Sequence, residues 1–280
     1  MPTFWTPDGV TVSVNLPIGD VLFVASDRTD TVVLARAGDD VTAELRVSYV
    51  NGRLFVDGLL PSDALTGWLG LEDSIEARID LPEGSTVLGV ASEGGFRGTG
   101  RLGACTLRTD CGEIVLEETG PLTAVTESGD IAVGRVGGDA DVTSDSGVIQ
   151  IRRIDGRATV HNEYGETEIG EITGELVVRG HDSDLLVGRA HGDVSAFSES
   201  GDIRIVEAVR GTVETHSDSG DIEISVPRNT AVTVDLRAPN GRERDTVGRP
   251  TDPALTIGAH SAQGDVTVMS FPRRTGPAAP

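Results

Sequence analysis

Apolar and polar residues alternate over short stretches along most of the chain, and glycines separate these stretches at regular intervals. One stretch places Ile131 and Val133 two residues apart, and a later stretch does the same with Ile203 and Ile205. A period of two is typical of a β-strand that buries one face. The pattern therefore predicts an all-β protein.

A repeat of about 18 residues organises the centre of the chain. Its clearest form, Ser-Gly-Asp-Ile, occurs at 128–131, 200–203 and 219–222. Repeat units begin at positions 93, 111, 128, 146, 164, 182, 200 and 219, so successive spacings are 18, 17, 18, 18, 18, 18 and 19 residues. A second glycine marks the middle of each unit, at Gly103, Gly120, Gly138, Gly156, Gly174, Gly192 and Gly211. Two glycine columns with one period indicate a unit of strand, turn, strand and turn.

Two arrangements of this repeat would bury its apolar face. Successive hairpins would form an antiparallel meander, whereas a coil would stack each half-unit on its equivalent in the next unit. A meander needs only alternation, but the chain also keeps one residue type at one position, as with Ile114, Ile131 and Ile149. The repeat therefore predicts a parallel β-solenoid with about 18 residues per coil. The crossover rule predicts that the solenoid is right-handed.

The flanking sequences are predicted to cap the two ends of the solenoid, because uncovered edge strands would pair with other chains. Residues 1–92 form a β-rich capping region, 93–226 the solenoid repeats, 227–271 the C-terminal capping strands with a last coil, and 272–280 a disordered tail. In the first region strands are expected at 10–14, 21–25, 31–36, 41–49, 53–56, 75–81 and 86–90, with a hairpin turn at Asn51-Gly52. In the third region a strand at 231–238 precedes a loop at 239–253, and 255–268 form the last coil.

The composition limits the classes of partner. The chain has 280 residues, with 45 acidic side chains and 23 basic ones that are all arginine, so its formal net charge is −22. This charge repels nucleic acid and anionic membrane surfaces. The N-terminal residues lack the basic and apolar segments of a signal peptide, and no apolar run approaches the roughly 18 residues of a membrane helix. We therefore expect a cytoplasmic protein that does not bind nucleic acid and has no membrane span.

Three sequence features resemble the bacterial "putative adhesin" family of β-strand-repeat domains, whose function is unknown. They are the Ser-Gly-Asp-Ile repeat, the segment Ile-Asp-Leu-Pro-Glu-Gly at 79–84, and the closing Gly-Asp-Val at 264–266. The resemblance covers residues 10–270. It implies the β-repeat fold and says little about function, since the adhesin label reflects the repeat architecture more than binding.

Two columns of acidic residues flank the Ser-Gly corner. One precedes the corner at Asp110, Glu127, Asp145, Glu163, Glu199 and Asp218, and the other follows it at Glu113, Asp130, Glu166, Asp184, Asp202 and Asp221. Stacking would bring like charges to about 5 Å, so a ladder of Ca²⁺ ions is one interpretation. The other is that these are turn residues that accept hydrogen bonds from corner N–H groups and keep the surface solvated. We favour the second, because the nine-residue Gly/Asp pattern of calcium-binding β-rolls is absent from the sequence.

A column of small polar residues also precedes the corner, at Thr109, Thr126, Ser144, Asn162, Ser198 and Ser217. It has the parity of the apolar columns, so its side chains should point inward and form a hydrogen-bonded ladder along the stack. The corner serines could suggest a nucleophile; they are Ser128, Ser146, Ser200 and Ser219. A nucleophile is normally a single residue with its own base, so recurrence at one corner favours a structural turn.

The histidines and cysteines match no metal-binding pattern. His161 and His216 share an outward column but lie three coils apart, roughly 14 Å. His161 and His181 lie on adjacent coils and could approach each other. Cys105 falls in an inward apolar column and is expected to be a buried hydrophobe. Cys111 lies at the following corner, too far away to form a disulfide with Cys105.

These observations predict no catalytic, cofactor-binding or metal-binding residue and no cofactor. Coils of 17–19 residues leave no room for the long loops that wall the groove of an enzymatic β-helix. Only the segment 239–253, with Arg242, Arg244 and Arg249, is long and charged enough to line an enzyme site. A non-enzymatic interaction module is therefore the leading interpretation, with another protein or a second copy as its partner. Two alternatives stay open: a carbohydrate-binding or carbohydrate-active β-helix, and an acidic cation-binding module.

Overall fold

The computed structural model describes residues 1–37, 44–59, 75–228, 230–247 and 254–271, and within these ranges it contains strands and turns but no helix. The all-β prediction is therefore confirmed. The predicted tail at 272–280 lies outside the described residues, as do 41–43 of one predicted strand.

The chain divides into two compact units, Met1–Gly147 and Val148–Pro280. The strands of unit 1 are β1 (Thr3–Trp5), β2 (Thr11–Ser26), β3 (Asp30–Ala37), β4 (Glu44–Val50), β5 (Arg53–Leu59), β6 (Ile75–Pro82), β7 (Thr86–Glu93), β8 (Phe96–Arg101), β9 (Cys105–Cys111), β10 (Ile114–Thr119), β11 (Leu122–Ser128), β12 (Ile131–Val136) and β13 (Ala140–Ser146). The strands of unit 2 are β14 (Ile149–Ile154), β15 (Ala158–Ile172), β16 (Leu176–Ala190), β17 (Val194–Ser200), β18 (Ile203–Ala208), β19 (Gly211–Ser219), β20 (Ile222–Pro227), β21 (Val232–Arg237), β22 (Glu243–Asp245), β23 (Leu255–Ser261) and β24 (Val266–Phe271).

Most strands in each unit pair in parallel with the equivalent strand of the next coil. In unit 1, β10 pairs with β12 so that Ile114 lies beside Ile131. In unit 2, β16 pairs with β18 so that Leu185 lies beside Ile203. Equivalent positions therefore stack on each other, which confirms the parallel solenoid and excludes the meander for these strands. β15 and β16 each continue through the corner, which reads Tyr-Gly-Glu in β15 and Asp-Ser-Asp in β16. The segments before and after that corner therefore form one continuous strand.

The core of each unit consists of the inward columns of aliphatic side chains. Ile131 in unit 1 and Ile169 in unit 2 have no exposed surface. Two aromatic residues join the core of unit 1, where the rings of Phe23 and Phe96 stack with centroids 6.4 Å apart. Outward positions such as Arg152 are exposed, so the inward and outward assignment made from the alternation is confirmed there.

The coil that comes first in the sequence of unit 1 is not its outermost coil. β2 pairs in parallel with β5 and β6 on one side and with β7 and β8 on the other. The antiparallel strands β3 and β4 then cover β6 and β5. The strands predicted at 10–14 and 21–25 are both parts of β2. The predicted turn at Asn51-Gly52 does join β4 to β5, with positive φ at both residues.

Unit 2 ends with the same kind of insertion. β23 and β24 pair with β19 and β20 on one side and with β21 and β22 on the other. Among the described strands, the coil predicted at 255–268 as the last is therefore the last but one, and β21 with β22 forms the outermost coil. The predicted loop at 239–253 was wrong at 243–245, where β22 continues the ladder, and 248–253 lie outside the described residues. The inserted coil joins the outermost coil to the stack by hydrogen bonds along both of its strands.

Candidate functional site

The carboxylates that follow the Ser-Gly corner bind the backbone of the next coil. In unit 2 the N–H of Asp202 donates to Asp184 at 2.8 Å, and the N–H of Asp221 donates to Asp202 at 2.7 Å. The series continues through the inserted coil, where the N–H of Asp265 donates to Asp221 at 2.7 Å. These bonds are those expected of turn residues, which supports that interpretation of the acidic column.

The competing interpretation of the acidic columns was a ladder of cations. Across the ranges that the structure describes, no three His, Cys, Asp or Glu side chains are grouped closely enough to hold a metal ion. In the corner bonds, one carboxylate oxygen of each of Asp184, Asp202 and Asp221 already accepts a backbone N–H. A cation at this corner would therefore compete with the bonds that join the coils.

We expect the melting temperature to rise with added NaCl, because the formal charge of −22 destabilises the folded chain by repulsion that salt screens. Ca²⁺ and Mg²⁺ should act alike in differential scanning fluorimetry at equal ionic strength, since screening does not depend on coordination geometry. The double variant Asp202→Asn with Asp221→Asn is the control. A saturable shift at micromolar Ca²⁺ that Mg²⁺ does not give, and that this variant loses, would contradict the prediction.

The small polar column is buried, as predicted, but its hydroxyls form no continuous ladder in the described part of the chain. Those of Thr109, Ser198 and Ser217 donate to backbone carbonyls, whereas those of Thr126 and Ser144 have no hydrogen-bond partner among the described residues. Thr109 donates to the carbonyl of Gly94 at 2.7 Å in unit 1. In unit 2 Ser217 donates to the carbonyl of Gly201 at 3.1 Å. The predicted ladder from side chain to side chain is therefore replaced here by bonds to corner carbonyls of the preceding coil. The corner serines are exposed and lie in register with one another, as Ser200 does with Ser219.

A ladder of alternating charges, which was not predicted from the sequence, runs beside the second corner. In unit 2 the register places Arg153, Glu171, Arg189 and Glu207 side by side on successive coils. Arg153 bonds Glu171 at 3.0 Å, and Arg189 bonds Glu207 at 2.6 Å. A hydrogen bond to Asp155 and the charges of Glu171 and Asp155 raise the pKa of Arg153. The signal was present in the sequence, since these residues repeat every 18 positions with opposite sign.

The structure places each repeat histidine beside a carboxylate. His181 lies 2.8 Å from Glu199 and His216 lies 2.9 Å from Asp218. His191 lies 3.0 Å from Glu171. The register confirms that His161 and His216 belong to one outward column, since it runs from His161 through Arg179 and Phe197 to His216. The column then continues to His260, on the inserted coil.

The distal part of this column forms a ladder of three rings in unit 2, in which Phe197 is exposed and His216 and His260 are half-buried. Phe197 and His216 stack at 5.3 Å between centroids with an interplanar angle of 6°, and His260 meets His216 at 4.9 Å and 63°. Phe197 keeps 40% of its surface exposed. Isolated exposed apolar residues are ordinary, but here three rings in contact form one continuous surface, and a continuous surface of this kind is a candidate interaction site.

A notch lies beside the rings, in the neighbouring outward column. This column contains Glu214, Gly258 and Asp235 on three adjacent strands. A Cβ atom added at Gly258 would meet no other atom within 4 Å, so the glycine leaves an open gap between the two acidic residues. The rings and the notch together line a groove of about 390 Å³. We call this surface the ladder face, and define it as Phe197, Glu214, His216, Asp235, Arg237, Gly258 and His260.

The two cysteines are free, as predicted. Cys105 is 2% exposed, and burial raises the pKa of its thiol to about 11. Cys111 is exposed at the corner, in register with Ser128.

In the native protein at pH 8 we expect a thiol reagent such as Ellman's reagent to label Cys111 quickly and Cys105 only after unfolding.

The raised pKa also makes the contribution of Cys105 to stability depend on pH. Below the ordinary thiol value of 9.0 both states are protonated, and stability is lost as pH rises from there towards about 11, because the unfolded thiol ionises first. Melting curves of wild type and Cys105→Ala between pH 8 and 11 should show a steeper loss for wild type. Equal slopes, or rapid labelling of Cys105, would contradict its burial.

A model of the protein family Toastrack DUF4097 matches residues 79–269. Three solved structures are similar to the chain at low identity. A "putative adhesin" from Bacteroides fragilis is 10% identical with 96% of this chain and 95% of that chain covered, at a TM-score of 0.41. A "putative lipid binding protein" from Parabacteroides distasonis is 13% identical with 95% of each chain covered, at 0.42. A "putative adhesin" from Parabacteroides merdae is 11% identical with 96% and 95% covered, at 0.38.

No curated protein matches the chain. The three structural similarities are too weak for any functional argument, so the family match is the finding that the comparisons contribute. In the described part of the chain, no helix is long and apolar enough to cross a membrane.

Proposed function

The chain belongs to the Toastrack DUF4097 family, whose model matches more than half of it, and we propose that it is a non-enzymatic interaction module that binds a partner protein through the ladder face. The family has no known function. The observation that carries the proposal is the ring ladder of Phe197, His216 and His260 on the outward face of hydrogen-bonded strands, where Phe197 is exposed and the two histidines are half-buried.

The polar groups that recur at the corners form hydrogen bonds between adjacent coils. Because these bonds account for their presence, a binding role is better supported for a different surface. Asp202 and Asp221 bind backbone N–H groups, and Ser217 binds a corner carbonyl. By contrast, the ring ladder occupies outward positions, where coil stacking needs no aromatic residue. Aromatic side chains are enriched at protein interfaces because they supply a large contact area at a low cost in conformational entropy.

The charges around the ladder face favour a partner with basic residues. Glu214 and Asp235 flank the gap above Gly258, and both side chains lie on the open surface. The whole chain carries a formal charge of −22, so basic partners are attracted at long range as well as locally. Arg237 lies 3.4 Å from Asp235 at the margin of the face and leaves Glu214 as the stronger acidic anchor. We therefore propose that the notch accepts an arginine or lysine side chain of the partner.

Binding to a panel of fluorescent peptides tests this proposal. The panel holds arginine-rich, lysine-rich, neutral and acidic peptides of equal length, and anisotropy measures their dissociation constants at two salt concentrations. Wild type should prefer the basic peptides. Gly258→Val should weaken them at least about tenfold, because its side chain fills the notch. Glu214→Gln should weaken them as well, with a smaller dependence on salt.

The control is Thr233→Val, an outward position on β21 outside the ladder face, which should bind like wild type. Because a Cβ at Gly258 meets open space, Gly258→Val should keep the wild-type melting temperature. Binding that is equal in Gly258→Val and wild type would refute the ladder face as the binding surface. If no peptide binds and the protein binds glycans on an array, the carbohydrate alternative is favoured.

A further inference from the structure

The outermost coil of unit 2 presents a strand edge. Among the described residues, β21 pairs only with β23, and β22 pairs only with β24. The outer sides of both strands therefore carry backbone groups that another strand could use. An edge of this kind is a template for pairing with a second chain unless something prevents it.

The β21 side of this edge continues the apolar core. Val234 and Leu236 lie in register with Ile257 and Ala259, whose side chains are buried. Val234 and Leu236 themselves are only half-buried, because the described residues place no further coil over them. This half of the edge would gain stability from an added strand.

The β22 side carries acidic residues in register with the inward column, where Glu243 is exposed and Asp245 is half-buried. Glu243 and Asp245 lie in register with Val266 and Val268, and both valines are fully buried. Glu243 accepts the N–H of Ala238 at 3.0 Å, and Asp245 accepts the N–H of Val247 at 2.9 Å. These bonds tie both carboxylates to the backbone of the last coil. The inward column therefore changes from valine to carboxylate at the end of the unit.

A second copy could add to this edge through a two-fold axis perpendicular to the strands. Such an axis would pair β21 with β21 of the second copy, antiparallel, and β22 with β22 in the same way. The first pair would place apolar residues on apolar residues. The second would place Glu243 and Asp245 opposite the same carboxylates of the other copy, where like charges repel and lose hydration.

We infer that Glu243 and Asp245 block the pairing of unit 2 with a second copy of the chain. Inward-pointing charges are one of the devices by which sheet proteins protect their edges. The half-buried apolar residues on β21 make the edge capable of association, and the two carboxylates on β22 prevent it. Neutralising them should therefore convert this edge into a dimer interface.

Sedimentation velocity of the full chain over a range of concentrations tests this inference. Glu243→Val with Asp245→Val should dimerise at a concentration at least about tenfold lower than wild type, with the mass of the dimer twice 29.2 kDa. Glu243→Gln with Asp245→Asn removes the charges without changing the side-chain shape, and should shift association in the same direction. If circular dichroism shows that the valine variant does not fold, the variant Glu243→Gln with Asp245→Asn tests the inference alone.

The matched control is Glu168→Val with Glu223→Val, which removes two charges from outward positions of unit 2 that lie outside both the outermost coil and the ladder face. This control should associate like wild type. Adding Val234→Glu to the valine variant should restore the wild-type association, because it places a charge in the apolar half of the edge. The inference is overturned if the folded Glu243/Asp245 variants associate no more strongly than wild type. It is also overturned if the control associates equally, or if Val234→Glu has no effect.

Discussion

Ile151→Asp should destabilise the protein by at least about 4 kcal/mol. Ile151 is 1% exposed and lies in register with Ile169 of the next coil, which is fully buried. An aspartate there would place a carboxylate between aliphatic side chains without a charged partner. The folded state must then either bury that charge or protonate the group, and both cost free energy. Urea denaturation followed by circular dichroism measures the difference.

The control for this variant is the next residue in the chain. Arg152 is exposed, so Arg152→Asp adds a carboxylate to water and should cost less than about 1 kcal/mol. The comparison is a strict test because Arg152→Asp changes the net charge by two units and Ile151→Asp by one, yet Ile151→Asp is expected to lose more stability. If both variants unfolded at the same urea concentration, the inward and outward assignment along β14 would be wrong.

The regular coils could be predicted from sequence because stacking imposes one side-chain requirement on every coil. The position that Ile131 occupies holds a buried aliphatic residue in most repeat units, with Phe96 and Thr167 in two of them, so the period appears directly in the sequence. The ends could not be predicted in the same way. Strands β23 and β24 satisfy the same columns as β19 and β20, so their sequence is compatible with any level of the stack. Their insertion inside β21 and β22 depends on which coil is added to which edge, and alternation does not encode that order.

The candidate site was likewise predictable from the sequence only in part. The corner aspartates were predictable as turn residues, because Asp184, Asp202 and Asp221 recur with the repeat and each serves the same backbone bond. The ladder face was not predictable, since His260 is 44 residues from His216 and lies outside the period. Gly258 also resembles any other strand glycine in the sequence. Only the structure shows that its missing side chain opens a gap between Glu214 and Asp235.

Not every glycine has the same role, and the second prediction depends on this difference. The corner glycines of successive coils approach each other closely. A Cβ at Gly220 would overlap the carbonyl oxygen and carbon of Gly201. The carbonyl of Gly201 is fixed by the hydroxyl of Ser217 at 3.1 Å, and that of Gly220 by Ser261 at 2.7 Å. Neither backbone can move aside without breaking such a bond.

Gly220→Ala should therefore lower the free energy of unfolding by about 2–4 kcal/mol, since one methyl group forces two coils apart. Gly258→Ala is the matched control, because it makes the same chemical change in the same unit where a Cβ meets open space. It should be neutral or slightly stabilising, since alanine restricts the unfolded chain more than glycine does. Urea midpoints of the two variants give the comparison. If both lost the same stability, the close contact of the corner glycines would not be what determines the spacing of the coils.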